Sequence, residues 1–161
     1  MTHRDRVEAL LAHAAAEHAT LLTQLPADLQ ASLPVDAQGL TEAIEHLATA
    51  AGLTPEERRA LIRPHAVNPA VMHARVFGRA PLSEELVMAS FVDGARVRAD
   101  ALAGLADAVG GEALGTEVRA LLVDHPPPLA GDGLAAVPAL RATYDAQEQA
   151  AVLIATRLDA P

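Results

Sequence analysis

The fold class that this sequence predicts is an all-α multi-helix bundle, and three observations predict it. Ala and Leu dominate the 161 residues while β-branched residues are sparse, which is the composition of good helix formers. Pro and Gly fall at the joints between segments rather than inside them, where they act as breakers. No pair of alternating apolar and polar runs suggests a β-hairpin. A chain of this length fits one domain, 1–161, and buries roughly 70% of its unfolded surface without disulfide or metal staples.

The elements follow in order. The first helix runs from about Arg4 to Leu25 and stops before Pro26. A second covers Ala37 to Ala51 and ends at Gly52. Thr54-Pro55-Glu56-Glu57 is a capping box with Pro at the first helical position, so a third helix starts there and ends near Arg63. Asn68-Pro69 opens a short fourth helix that stops at Gly78. Ser83 caps the longest helix, with Glu84 and Glu85 at its positive end. That helix reaches about Val109, Gly110-Gly111 breaks it, and Glu112 to Asp124 forms another. Pro126-Pro127-Pro128 begins a stiff linker. A last helix runs from about Val137 to Leu158. This gives six to seven helices, of which the three long ones beginning near Arg4, Ser83 and Val137 are expected to form the main core.

Composition excludes much chemistry. There is no Cys, and all 12 basic residues are Arg. Thiol nucleophiles, Cys-ligated metals, Schiff-base lysines and phosphate-loop lysines are therefore ruled out. A net charge of −9 opposes broad binding to nucleic acid or anionic membrane. No apolar run approaches the roughly 20 residues needed to span a bilayer, and the start of the chain lacks a signal-peptide core. A cytoplasmic, acidic protein is the expectation.

Some polar residues sit inside apolar helical stripes, as a 100° advance per residue shows. His18 lies among Val7, Leu11, Ala14, Leu21 and Leu25. Arg98 lies among Val87, Phe91, Ala95, Leu102, Leu105 and Val109. Tyr144 and Gln147 lie among Leu140, Ala151, Ile154 and Leu158. Burying these stripes turns His18, Arg98, Tyr144 and Gln147 inward. An unpaired buried guanidinium costs several kcal/mol, so Arg98 needs a partner or a ligand. A ligand reading has Arg98 holding an anion, with His18 exchanging a proton and Tyr144 and Gln147 orienting the guest. The plain reading has His18 and Gln147 satisfied within the core and Arg98 reaching the rim or a second subunit.

Two i, i+4 pairs carry metal-ligand chemistry, His13 with Glu17 and Glu42 with His46. Glu42, Glu45 and His46 lie opposite the stripe of Leu40, Ile44, Leu47 and Ala51, so solvated pairs are the expectation and no metal ligand is assigned. The segment Thr41-Glu42-Ala43-Ile44-Glu45-His46-Leu47 resembles the histidine-bearing helix of DinB-like metal bundles. That resemblance implies a metal held by three His residues. It covers seven residues, and the His-x-x-x-His partner it implies near the C-terminus is missing.

Charge is uneven along the chain. Residues 54–80 carry Arg58, Arg59, Arg63, Arg75 and Arg79 against Glu56 and Glu57, while both flanks are acidic. Such an island could serve an anion, an acidic partner or a nucleic-acid backbone. Phe77 is the only aromatic near it, so stacking platforms for single strands are lacking. No nucleophile elbow, zinc-protease helix, dinucleotide loop or calcium loop is present.

The leading expectation is a non-enzymatic binding or interaction protein holding a small anionic or polar ligand in an interior pocket, without a cofactor and with a homodimer favoured. The alternative is a metal-dependent bundle enzyme of DinB-like or ferritin-like architecture using His and carboxylate ligands. A third is nucleic-acid binding through residues 54–80.

Overall fold

The computed structural model describes residues 1–24, 26–27, 37–61 and 84–161, without the side chains of 84–87, 90 and 130. Within these residues the fold is all-α. Helix α1 spans His3–Leu22, α2 Gln38–Ala50, α3 Pro55–Leu61, α4 Glu84–Val123 and α5 Val137–Asp159, with a 3-10 segment over Ala130–Ala136. The expected fourth helix at Asn68–Gly78, its neighbour Arg63, and the cap Ser83 lie outside the described residues. Among the described residues no helix is long and apolar enough to cross a membrane.

Helix ends follow the local chemistry. Thr54 Oγ1 accepts from the Glu57 N–H at 3.1 Å and Glu57 Oε2 accepts from the Thr54 N–H at 2.7 Å, completing the expected capping box. At the end of α2, Gly52 has a φ of 76°. The Gly52 N–H bonds the Thr49 carbonyl and the Leu53 N–H bonds the Ala48 carbonyl, the paired bonds of a Schellman ending.

The expected break at Gly110-Gly111 is real, and it reverses the chain. Gly111 adopts φ 68° and ψ −161° inside α4, a region open essentially to Gly alone. Arg119 bonds Asp107 bidentately, with Nη1 to Oδ1 at 2.9 Å. Twelve residues of straight helix would separate them by about 18 Å, so the segment after Gly111 folds back beside the one before it.

The core draws on four helices. α5 packs against α4, α1 and α2, and α1 packs against α2. One cluster joins Val7, Ile44, Leu47, Leu102, Leu105, Leu114, Val118 and Ile154. A second, around Leu40, Met88, Ala95, Leu140 and Tyr144, lies toward the 3-10 segment. The three expected long helices therefore do not make the core by themselves. The 13-residue α2 supplies Leu40, Ala43, Ile44, Leu47 and Ala48 to it, because its stripe is the least interrupted. The α1 stripe is shorter than periodicity suggests, since Leu21 is 62% exposed and Leu25 lies outside the described residues.

The ends of the described chain meet. All four N–H groups that α1 leaves without intrahelical partners find acceptors. Thr2 and Asp5 bond each other reciprocally at 3.0 Å, a capping box at Thr2-x-x-Asp5 that puts the helix start before the expected Arg4. The His3 and Arg4 N–H groups donate to the Asp159 carboxylate at the end of α5, at 2.8 and 2.9 Å. These bonds, from Arg4 first, hold the Asp159 pKa below its ordinary value of 3.8. A lowered carboxylate pKa stabilises the fold above the unfolded value, and that contribution is lost as pH falls through the folded one. Asp159→Asn should therefore lower the urea midpoint at pH 7 and leave it less dependent on pH below 4 than in the parent. An unchanged acid limb would show that the clasp contributes nothing.

Candidate functional site

The interior polar residues come first, because sequence flagged them. α4 places Arg98 and α5 places Tyr144 and Gln147 in the interface between the two helices, 5%, 3% and 0% exposed. The Arg98 guanidinium lies over the Tyr144 ring, 5.0 Å from its centre, within the range of a cation–π contact. Gln147 Nε2 donates to the Ala95 carbonyl, one turn before Arg98, at 2.8 Å. Gln147 Oε1 is buried and has no hydrogen-bond partner among the described residues. These three residues thus cross-link α4 and α5. His18 is not part of this buried group. It is half-buried on α1, and α1 packs mainly against α2 and α5.

A second constellation lies on the outside of the bundle, where α1, α2 and α3 meet. A groove of about 750 Å³ is lined by Arg6 and Leu10 from α1, by Glu42, Glu45, His46 and Thr49 from α2, and by Arg58 and Arg59 from α3. The volume falls among those of ligand pockets, roughly 300–1,000 Å³. α2 presents its polar face here because its apolar face is committed to the core. Helix α3, started by the capping box and Pro55, packs against α2. Arg58 is partly buried, and its Nη1 donates to Thr49 Oγ1 at 3.1 Å, which fixes the guanidinium against the wall.

His46 has a partner that periodicity did not suggest. His3 Nδ1 and His46 Nε2 are 3.1 Å apart, with ring centres 5.2 Å apart and planes tilted by 47°. Burial pushes the His46 pKa below its ordinary value of 6.5, and the positive potential of His3 and Arg6 pushes the same way while Asp159 opposes it. The shift favours the neutral imidazole of His46.

The i, i+4 pairs resolve differently from one another. His13 and Glu17 form an exposed pair at 3.2 Å, as expected of solvated neighbours. Glu42 and His46 turn to other partners, Glu42 accepting from Gln38 at 3.0 Å and His46 meeting His3. Among the described residues no group of three or more potential ligands converges on one point. Of the arginine island, Arg58 and Arg59 line the groove, while Arg63, Arg75 and Arg79 lie outside the described residues.

Sequence reasoning missed His3, Arg6 and Asp159. The Thr2-x-x-Asp5 signature could have placed His3 at the first turn of α1. Nothing local places Asp159 beside it, because that contact spans 156 positions. Comparison with models of protein families, with curated proteins and with solved structures finds no match for this chain.

Proposed function

We propose that the protein is a non-enzymatic binding module for a small anionic or zwitterionic molecule taken in the groove between α1, α2 and α3. The observation that supports this is the convergence of Arg6, Arg58 and Arg59 on one concave surface of an otherwise acidic chain. Guanidinium groups take carboxylates and phosphates in bidentate geometry. Glu42 and Glu45, which α2 contributes to the same groove, would receive a cationic group of the same guest and reject a simple polyanion. In this proposal the chain is one domain of six to seven helices, acting as a homodimer in the cytoplasm.

The cluster of Arg98, Tyr144 and Gln147 is a second possible seat for the ligand, favoured by the buried Gln147 Oε1. Calorimetric titration with succinate and with pyrophosphate separates the two. Binding in the groove should weaken about tenfold or more in Arg58→Ala and in Arg59→Ala, the worth of one charge-assisted hydrogen bond. It should also weaken with added salt and survive Arg98→Leu. Loss of binding in Arg98→Leu with the arginines of the groove intact would move the site to the interior. Absence of saturable binding by either probe would overturn the anion reading.

A further inference from the structure

We infer that His3 and His46 form a binding site for a divalent transition-metal ion, with the ion held between His3 Nδ1 and His46 Nε2. Metal–imidazole bonds of about 2.0–2.1 Å meeting at 95–105° place the two ligand nitrogens roughly 3.0–3.3 Å apart. The observed separation is 3.1 Å. The two rings come from different helices, and each backbone is held without the other's help. Asp159 and the Thr2–Asp5 box fix the first turn of α1. On α2, the neighbouring Leu47 is fully buried in the core and anchors the turn that carries His46. The two ligand nitrogens are thus held near one another by contacts that do not depend on an ion.

The chemistry selects the class of ion. Two imidazoles suit zinc, cobalt, nickel and copper, and not the oxygen-seeking magnesium or calcium. The local field is mixed, with Asp159 close to the pair and Arg6 acting against a cation. His46 also lines the groove, which gives solvent a path to the ion. Because no third protein ligand converges there among the described residues, water would fill the remaining positions of the ion. This inference stands apart from the proposed binding of anions, which depends on Arg58 and Arg59.

The experiment is calorimetric titration of the chelator-treated protein with Zn²⁺ alone, followed by Co²⁺ absorption spectra. One equivalent of Zn²⁺ should bind, and His3→Ala or His46→Ala should each weaken it about tenfold or more, at least the cost of losing a supporting partner of a ligand. His13→Ala removes an exposed imidazole elsewhere on α1 and should leave the isotherm unchanged. Thermal melts without metal check folding, and His46→Gln replaces His46→Ala should the latter unfold. Zn²⁺ binding that survives the loss of His46 overturns the inference, as does equal weakening by His13→Ala or no saturable uptake. In any of these cases the 3.1 Å approach is a hydrogen bond between the rings and nothing more.

Discussion

Leu47→Ala should lower the free energy of unfolding by about 2–5 kcal/mol, the range for truncating a buried leucine. Leu47 is fully buried in the cluster that includes Leu102 and Leu105 of α4 and Ile154 of α5. The deletion removes apolar surface from the core and leaves a space that packed helices close only in part. Leu47→Met conserves most of the volume and should cost less than about 1.5 kcal/mol. Urea denaturation followed by circular dichroism measures both, with a fall in midpoint at constant slope marking a change in stability alone. A cost below about 1 kcal/mol for the alanine variant would mean that α2 is not a core helix. The same substitution loosens the turn that carries His46, so ligand binding in the groove should weaken beyond what the arginines explain.

Gly111→Ala should cost about 1–3 kcal/mol, the strain of holding a side chain in a backbone region it rarely adopts. The added Cβ meets nothing within 4 Å, so the cost is conformational and not steric. That distinction gives the prediction its control. At Gly115 the added Cβ would collide with Asp107 Oδ1, but that oxygen ends a flexible, exposed side chain and can swing away. Gly115→Ala therefore sacrifices the Asp107–Arg119 pair and little else. The Arg119 bond holds the Asp107 pKa below its ordinary value of 3.8, and a surface pair of this kind contributes little at neutral pH. Alanine's better helix propensity at position 115 offsets the lost pair, so the expected urea midpoint of Gly111→Ala lies below those of both the parent and Gly115→Ala. A Gly111→Ala variant as stable as the parent would show that the chain turns there by some other conformation.

Several features were legible because they are local. The capping box at Thr54–Glu57, the end of α2 at Gly52 and the interruption at Gly110-Gly111 each depend on a few adjacent residues. Their physics is steric or a hydrogen bond across one turn, and so it is written in the order of side chains. The inward turn of Arg98, Tyr144 and Gln147 was legible for a related reason. Helical periodicity states which residues share a face, and a face rich in Leu, Ile and Ala is buried whatever packs on it. His18 shows the limit of that argument. It shares a face with Val7 and Ala14, yet the stripe loses its cover toward the end of α1, where Leu21 is exposed.

The composition and periodicity of this chain, by themselves, determined an all-α fold, the chemistry it cannot perform, and most of its helix ends. Tertiary structure alone decided which polar faces meet. Arg6, Glu42, His46, Arg58 and Arg59 each look like solvated residues on their own helices, and only the packing of α1, α2 and α3 makes them one groove. The meeting of His3, His46 and Asp159 joins residues from the beginning, the first third and the end of the sequence. Contacts of that kind arise when the burial of apolar stripes sets the positions of whole helices, and the polar residues on the opposite faces are carried along. Their proximity is a consequence of the core, which is why no spacing in the sequence announces it.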